Sequence, residues 1–255
     1  MLSKVEQQYY QTELTNFLKS RKVQDLLQSL SGRTKIYDSG KDIKLELDFS
    51  LNELITKKIQ EISNYPILSE ESSFEDIDLP EIVWVLDPLD GTFNFSRGLP
   101  IYCISIGIIC DKVPVFGLIY DFFSNNLYFG SSDIAATMNN QGLRVSSVER
   151  ICDGILCTGI PIGSCATEII PKGEGFSLND FKKVRMLGSG AMSLAYLASG
   201  VADVYFENGI KIWDIAAGCS IVRAAGGSVS IKFLEDYKTL KVLCYNDRIK
   251  LPKGH

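Results

Sequence analysis

Two aspartates, Asp87 and Asp90, stand where an apolar run ends in the stretch WVLDPLDGTFNF. The run Ile82 to Leu86 predicts a buried strand, and open α/β sheets bind ligands at the carboxyl ends of such strands. Pro88 fixes its own φ and has no N–H to donate, so it holds a bend between the two carboxylates. Gly91 allows the backbone to approach a ligand closely. This spacing predicts that Asp87 and Asp90 converge on one point.

Two carboxylates at one point favour a divalent cation. They repel each other, and removing them from water adds to the cost of keeping both charged. A hard cation relieves that repulsion, and carboxylate oxygens together with the Leu89 carbonyl are suitable ligands for it. The alternative is a plain aspartate-rich turn, because Asp-Pro commonly begins a turn and Asp-Gly commonly closes one.

Three further carboxylates enlarge the candidate site. Glu70 follows a short apolar run, and Asp48 lies at the start of a second helical pattern. Asp214 is followed, after one isoleucine, by the small residues Ala-Ala-Gly. Each also has an ordinary interpretation. Glu70 and Glu71 are compatible with a solvated surface, and Asp48 and Asp214 with helix N-caps.

The elements that must position these groups follow from periodicity and turn signals. In the first half we predict a helix over residues 5–29, an exposed hairpin or loop at 31–42, a helix beginning near Asp48, and sheet strands at 82–86, 101–109, 115–120 and 127–130. In the second half we predict strands at 154–159, 184–187, 202–206 and 239–244, helices at 191–199 and 214–225, and a loop at 160–180. The pattern indicates an N-terminal α+β half over about 1–145 and a C-terminal α/β half over about 146–255, which share one fold.

Composition limits the classes of partner. The chain has 255 residues, is 45% hydrophobic and carries a net charge of −5, so it is long enough for a large core but does not attract a nucleic-acid polymer through its overall field. It contains no run of about 18 apolar residues, which a membrane span needs, and its N-terminus has no apolar signal core. We therefore expect neither a nucleic acid nor a membrane among its partners.

Cysteine and histidine usage narrows the chemistry. The seven cysteines form no CxxC pair, which favours reduced core residues of a cytoplasmic protein over a disulfide framework. The single histidine is the last residue, His255. This argues against a histidine-dependent zinc site and against a Ser-His-Asp triad.

Four stretches of the chain resemble one family. LDPLDGTFNFSRGLP (86–100) and IWDIAAGCSIVRAAGG (212–227) resemble the two signature motifs of the inositol monophosphatase family, and ILSEESS (67–73) resembles its third motif. VRMLGSGAMSLAYLASGVADVYFENG (184–209) is similar to the segment between the signatures. The family contains magnesium-dependent, lithium-sensitive phosphatases that act on inositol monophosphates, fructose 1,6-bisphosphate or 3′-phosphoadenosine nucleotides.

The resemblance implies a layered α/β/α/β/α fold with an active site between its halves that binds two or three Mg²⁺ ions. It assigns as metal ligands Glu70, Asp87, the Leu89 carbonyl, Asp90 and Asp214. It assigns catalytic roles to Glu70, which would bind the third ion, and to the pair Asp48 and Thr92, which would orient and deprotonate the attacking water. A lysine from the loop at 31–42 is also expected near the third ion, with Lys35 and Lys41 as candidates.

Substrate contacts follow from the same resemblance. The N–H groups of Gly91 and Thr92 would bind the phosphate, and a glycine-rich turn from Gly188 to Ala191 would line the pocket. The resemblance assigns contacts with the rest of the substrate to Glu207, which would bind a hydroxyl, and to Asp214. The glycines of this turn also suit a tight strand-to-helix connection, but the turn lacks the Lys-Ser/Thr of a phosphate-binding P-loop.

The predicted function is therefore a Mg²⁺-dependent phosphomonoesterase acting on an inositol monophosphate or a similar small sugar phosphate, as a homodimer. Two enzymatic alternatives remain open, a 3′(2′),5′-bisphosphate nucleotidase and a fructose-1,6-bisphosphatase. A third is a non-catalytic binding protein of the same fold.

Overall fold

The computed structural model describes residues 2–30, 36–38, 43–71, 79–160, 169–171, 174–234 and 239–251. Its helices are α1 (Lys4–Leu18), α2 (Arg21–Leu30), α3 (Glu46–Ile62), α4 (Thr92–Ser96), α5 (Gly190–Ala198) and α6 (Ile212–Ala224). Its strands are β1 (Ile36–Asp38), β2 (Ile43–Leu45), β3 (Ile67–Ser69), β4 (Ile82–Asp90), β5 (Cys103–Cys110), β6 (Val113–Asp121), β7 (Asn126–Ser131), β8 (Thr137–Met138), β9 (Gln141–Gly142), β10 (Ile155–Thr158), β11 (Lys183–Arg185), β12 (Val204–Lys211), β13 (Gly227–Phe233) and β14 (Thr239–Asn246). Among the helices that the structure describes, none has the length and apolar character needed to cross a bilayer.

The first helical stretch is two helices rather than the single helix predicted over 5–29. A capping box of Ser3 and Glu6 starts α1, and the chain breaks after Leu18. The side-chain amide of Gln24 donates to the Leu18 carbonyl at 2.9 Å and to the Tyr120 hydroxyl at 3.0 Å. A side chain of α2 thus satisfies a carbonyl left free at the end of α1, which an apolar pattern does not reveal.

The predicted hairpin after α2 is confirmed in its paired part, because β1 and β2 pair antiparallel. The rest of the segment 31–42, including Lys35 and Lys41, lies outside the described residues. The predicted helix near Asp48 begins two residues earlier, at Glu46.

A seven-stranded sheet occupies the first half, in the order β3-β4-β5-β6-β7-β8-β9. The strands from β4 to β9 pair antiparallel with their neighbours, which confirms the predicted meander, and β3 joins β4 in parallel. The short strands β8 and β9 were not predicted. Helices α1 to α3 cover one face, where Tyr10, Trp84 and Phe116 make edge-to-face ring contacts.

Strand β4 continues to Asp90, beyond the predicted end at Leu86. Asp87 pairs with Ser105 and Asp90 with Cys103, so three steps along β4 match two steps along β5. This irregularity is a one-residue bulge. Side chains three apart in a regular strand point to opposite faces, and the extra residue removes that alternation.

A row of glycines brings helix α6 close to the other face of this sheet. Gly107 pairs with Gly117, and Gly117 pairs with Gly130, so the three lie side by side. A Cβ added at Gly117 would lie 2.0 Å from the Ala217 carbonyl oxygen, and one at Gly130 would lie 2.8 Å from Cβ of Ala224. The helix backbone therefore rests on strands that carry no side chains at the contact, which fixes its height above the sheet.

A five-stranded sheet occupies the second half, in the order β11-β10-β12-β14-β13. Strand β10 is parallel to β11 and β12, whereas β14 is antiparallel to β12 and β13. Strand β13 was not predicted, and the predicted strand 184–187 is the shorter β11. Helices α5 and α6 lie between the two sheets, and short 3₁₀ turns cover the far face.

The layers are therefore helices, sheet, helices, sheet and helical turns, which is the predicted layered sandwich. The predicted division near residue 145 falls between the last strand of one sheet and the first strand of the other.

Candidate active site

Three carboxylates meet where β4 ends and α6 begins. Asp87, Asp90 and Asp214 each place an oxygen so that all three oxygens lie within 4.8 Å of one another. Asp87 and Asp90 are buried in the bulged end of the strand. Asp214 is partly exposed in the first turn of the helix that rests on the glycine row. The convergence predicted for Asp87 and Asp90 is thus observed, with Asp214 added from a segment more than 120 residues away.

Each of these carboxylates is held in place by its own hydrogen bonds. The Leu89 amide donates to Asp87 Oδ1 at 2.9 Å. The Ser189 hydroxyl and the Ala191 amide donate to Asp90 Oδ2 at 2.5 and 2.7 Å. Both of these contacts hold Asp90 through Oδ2 against the start of α5.

Asp214 acts from inside its helix rather than as the N-cap. Lys211 occupies the cap position, and its amide donates to Asp214 Oδ2 at 3.2 Å. The carboxylate therefore closes the first helical turn with one oxygen and faces the cluster at the same time. In this way the capping interpretation and the metal-ligand interpretation are compatible.

The electrostatics of the cluster suit a divalent cation. Burial raises the pKa of Asp87 well above its usual value, and the charges of Glu70, Asp90 and Asp214 raise it further. Burial likewise raises the pKa of Asp214, with added repulsion from Asp90 and Glu70. Burial raises the pKa of Asp90 to about 6 even though its hydrogen bonds with Ser189 and Ala191 oppose the shift. Oxygen donors that repel one another in this way fit a hard cation.

Glu70 approaches the cluster from the neighbouring strand. It follows β3, and its amide donates to the Leu86 carbonyl at 3.1 Å. Its charge raises the pKa of Asp87 and of Asp214, so it lies near both. Glu70 is not one of the three carboxylates whose oxygens lie within 4.8 Å of one another.

Asp48 and Thr92, predicted as a pair, are in contact. The Thr92 hydroxyl lies 3.0 Å from Asp48 Oδ1 and 2.8 Å from the Leu89 carbonyl oxygen. The other Asp48 oxygen accepts the Leu45 amide at 2.9 Å, which caps α3. Burial raises the pKa of Asp48 to about 6, against the opposing effect of its hydrogen bonds.

The turn at Gly91 requires glycine. Its φ is +88°, and a Cβ there would lie 2.7 Å from the Ile101 carbonyl oxygen. Helix α4 starts at the next residue, Thr92. From this helix the Asn94 side chain donates to the carbonyls of Ile101 and Leu187, both at 2.8 Å. This contact ties the first signature segment to the turn that precedes α5.

A cavity of about 220 Å³ opens beside the carboxylates. It is lined by Asp90, Thr158, Gly159, Ile160, Gly188, Ser189, Gly190, Ser193, Glu207, Ile210 and Asp214. Glu207, predicted as a substrate contact, is therefore placed at the cavity. Burial raises the pKa of Glu207 to about 7, partly opposed by a hydrogen bond from Tyr205.

Ala191, predicted to line the pocket, reaches the site through its backbone amide rather than through its side chain. It is fully buried, and its amide donates to Asp90. The members of the turn that reach the cavity are Gly188, Ser189 and Gly190. The physical reason is that α5 already begins at Gly190, so its second residue turns toward the core.

A family model for the inositol monophosphatase family matches residues 3–252. The chain belongs to the inositol monophosphatase family. An inositol-1-monophosphatase from Synechocystis is 34% identical over 229 residues, which cover 87% of this chain and 79% of the relative. A protein described as Nus factor SuhB from Xylella fastidiosa is 37% identical over 196 residues, which cover 76% of this chain and 70% of the relative.

The fold of the family is also found in solved structures. The inositol monophosphatase from Anabaena (Nostoc) superimposes with a TM-score of 0.70 at 30% identity and covers 79% of this chain and 81% of its own. Membership of the inositol monophosphatase family supports a phosphatase function for this chain, and the acidic cluster can hold the divalent cation on which the family generally depends.

Sequence reasoning missed two residues near the candidate site, Asn94 and Tyr205, and it placed Ser189 in the pocket turn without its contact with Asp90. Ser189 caps α5 and holds Asp90, and a serine just before a helical pattern is a signal that could have identified it. Asn94 donates to the Leu187 carbonyl, 93 residues away in the chain. Tyr205 donates to the Glu207 carboxyl group, two residues away on the same strand. No local pattern distinguishes such residues from ordinary buried ones.

Proposed function

We propose that this protein is a Mg²⁺-dependent phosphomonoesterase that hydrolyses an inositol monophosphate or a similar small sugar phosphate. The observation that carries the proposal is the convergence of Asp87, Asp90 and Asp214 within 4.8 Å beside a cavity. The Asp48–Thr92 pair lies next to that cluster through the Leu89 carbonyl. The cavity, at about 220 Å³, is smaller than the roughly 300–1,000 Å³ of sites for larger ligands, which favours a small leaving group.

Two or three Mg²⁺ ions would be held by Glu70, Asp87, the Leu89 carbonyl, Asp90 and Asp214. Bound there, divalent cations supply charge neutralisation for the phosphate ester and lower the pKa of water to near neutrality. Glu70, Asp87 and the Leu89 carbonyl would hold the first ion, Asp87, Asp90 and Asp214 would hold the second, and Glu70 would also hold a third, weaker ion. These assignments rest on the family pattern together with the cluster geometry.

The Asp48–Thr92 pair would move the proton of the attacking water. The Thr92 hydroxyl gives its proton to Asp48 Oδ1 across 3.0 Å while it receives one from the water. A carboxyl whose pKa is about 6 is largely ionised at pH 7 to 8, so Asp48 can accept that proton. Its second oxygen is fixed by the Leu45 amide, which keeps the acceptor oriented.

Substrate binding would divide between two sides of the cluster. The amides of Gly91 and Thr92 would donate to the phosphate, because the first amides of a helix have no acceptor within it. Glu207 and Asp214 would accept hydroxyl groups of the leaving group on the cavity side. A small polyol suits that arrangement better than a nucleobase, which needs an apolar or stacking surface.

The test is phosphate release from inositol 1-phosphate, measured with Mg²⁺ and with excess EDTA. We expect turnover only with Mg²⁺, and we expect Asp90→Asn to abolish it in a folded protein. Asp111→Asn is the matched control, because the same chemical change falls on an exposed turn with positive φ, which asparagine tolerates. Full turnover by Asp90→Asn, or turnover in EDTA, would contradict the proposal.

The same assay separates the alternatives. Values of kcat/KM for inositol 1-phosphate, fructose 1,6-bisphosphate and 3′-phosphoadenosine 5′-phosphate rank the three enzymatic possibilities. Relatives of this chain are described both as inositol monophosphatases and as Nus factor SuhB, so catalysis has to be measured directly. Tight binding of the ester without turnover in saturating Mg²⁺ would identify a non-catalytic binding protein.

Three family properties complete the proposal. We propose a homodimer, inhibition by lithium through competition for the weakly held cation, and a cytoplasmic location. All six cysteines that the structure describes are free thiols, and five of them are buried, which supports a reducing compartment. Sedimentation and a lithium titration of turnover test the first two.

A further inference from the structure

The orientation of Glu207 is fixed by a tyrosine two residues before it. Tyr205 is fully buried, and its hydroxyl donates to Glu207 Oε2 at 2.9 Å. Both residues belong to β12 and point to the same face, because side chains alternate along a strand. The phenol has one proton to donate, and that proton is used on Oε2. Oε1 is therefore the oxygen available to a ligand in the cavity.

Gly159 restrains the same carboxyl group from the neighbouring strand. It follows β10, which runs parallel to β12 with Thr158 opposite Phe206. A Cβ added at Gly159 would lie 2.6 Å from each of the two Glu207 carboxyl oxygens. The carboxyl thus occupies the space that any other residue at 159 would fill.

The tyrosine hydroxyl also lies directly beneath the turn that lines the cavity. A Cβ added at Gly190 would meet this hydroxyl at 3.2 Å and Cβ of Asp214 at 3.4 Å. The charges of Glu207, Asp214 and Asp90 all act on Tyr205 and, after burial, raise the pKa of its phenol well above the usual value. The phenol therefore stays protonated and remains a donor at neutral pH.

We propose that Tyr205 is a positioning residue which, together with the bare Cα of Gly159, holds Glu207 so that one carboxyl oxygen receives a hydroxyl of the leaving group and selects polyol phosphates. The proposal rests on the phosphatase function proposed above and adds to it the residues that orient Glu207. A leaving group with a hydroxyl at this point gains a hydrogen bond to an oriented carboxylate. A leaving group that lacks this hydroxyl leaves Oε1 of the partly buried Glu207 without a donor. Sites that hydrogen-bond a substrate hydroxyl strongly reject substrates that lack it.

The test compares two esters, inositol 1-phosphate and phenyl phosphate, which has no hydroxyl on its leaving group. We expect Tyr205→Phe to lower the ratio of kcat/KM for inositol 1-phosphate to that for phenyl phosphate about tenfold, the size of one charge-assisted hydrogen bond. The loss falls mainly on KM for the polyol ester. Tyr245→Phe, the same change on the adjacent strand β14 and outside the cavity lining, should leave the ratio within about twofold.

A second variant guards against misfolding of the first. Gly159→Ala keeps the phenol and displaces the carboxyl, so it should lower the same ratio while circular dichroism and the thermal midpoint report folding. An unchanged ratio in folded Tyr205→Phe and in folded Gly159→Ala would overturn the inference.

Failure of the phosphatase proposal has a different signature. In that case the wild-type protein hydrolyses neither ester, and calorimetric Kd values for the two esters in Mg²⁺ replace the kinetic ratio. Tyr205→Phe should then weaken inositol 1-phosphate about tenfold more than phenyl phosphate, and equal Kd changes for both would overturn the inference.

Discussion

The Thr92 hydroxyl lies 3.0 Å from Asp48 Oδ1, a contact between residues 44 positions apart. It joins the start of helix α3 to the turn that follows the bulged strand β4. The same hydroxyl lies 2.8 Å from the Leu89 carbonyl oxygen, so it is held between Asp48 and the end of strand β4. The geometry suits a general base that acts through a hydroxyl.

Removal of that hydroxyl should reduce turnover while leaving substrate binding nearly intact. We expect Thr92→Val to lower kcat on the order of 10²-fold, the usual size of a general acid–base contribution. Thr92→Ser keeps the hydroxyl and should retain most of the activity. Steady-state kinetics with inositol 1-phosphate in Mg²⁺ measure both, and a near-normal kcat for Thr92→Val would rule out the proton path.

The stability of the cation-free protein should fall as pH rises from about 4 to 8. The pKa of Asp90 is raised to about 6, and burial raises those of Asp87 and Asp214 in the same direction. A raised pKa means that the unfolded state loses its proton first, so stability present at low pH is lost as pH rises through the folded pKa. Saturating Mg²⁺ should therefore raise the thermal midpoint by roughly 5 °C at pH 8 and by much less at pH 5.

Differential scanning fluorimetry in EDTA and in Mg²⁺ at the two pH values measures this effect. Equal shifts at pH 5 and pH 8 would show that the three carboxylates do not form the binding site for the cation.

Ser189 should influence the cation indirectly. Its hydroxyl donates to Asp90 Oδ2 and accepts the Met192 amide at 3.1 Å, so it both orients a ligand and caps α5. We expect Ser189→Ala to cost about 1 kcal/mol of stability through the lost cap and to weaken Mg²⁺ activation by roughly 10-fold or more. The control is Ser199→Ala at the other end of the helix, where Oγ donates to the Ala195 carbonyl.

A Mg²⁺ titration of turnover and a urea unfolding curve separate these two effects. Identical Mg²⁺ dependence in both variants would show that Ser189 contributes only the cap.

The glycine row should be intolerant of even one methyl group. Gly117→Ala would place a Cβ 2.0 Å from the Ala217 carbonyl oxygen, which forces α6 away from the sheet and carries Asp214 with it. We expect a loss of about 1–3 kcal/mol in unfolding free energy, or more, as for other overpacked sites, and a loss of turnover. Gly142→Ala is the control, because a Cβ there meets nothing within 4 Å. Urea unfolding and phosphate release measure both quantities, and equal stability of the two variants would contradict the packing argument.

Local sequence patterns predicted secondary structure best for short, strongly apolar elements. The meander strands and the helices α5 and α6 were located from periodicity. Asp87 and Asp90 were singled out by their place at the end of an apolar run, whereas Glu70, Asp48 and Asp214 were assigned through the resemblance to the family motifs. The single helix predicted over 5–29 was wrong because Gln24 satisfies the end of α1 from a separate helix. Strand β13 was missed although Val229, Ile231 and Phe233 alternate with polar residues, which is the signal of a half-buried strand.

The order of residues was enough to pick out the candidate acidic residues, because a charged side chain at the end of an apolar run is costly and therefore conspicuous. How these residues come together depends on the packing of distant segments. Strand β5 determines the bulge between Asp87 and Asp90, and the glycine row determines where helix α6 places Asp214. The hydrogen bond from Tyr205 orients Glu207 at a cavity lined by distant segments. Such contacts arise when separate segments pack against one another. The periodicity of one segment does not indicate which other segment will pack against it.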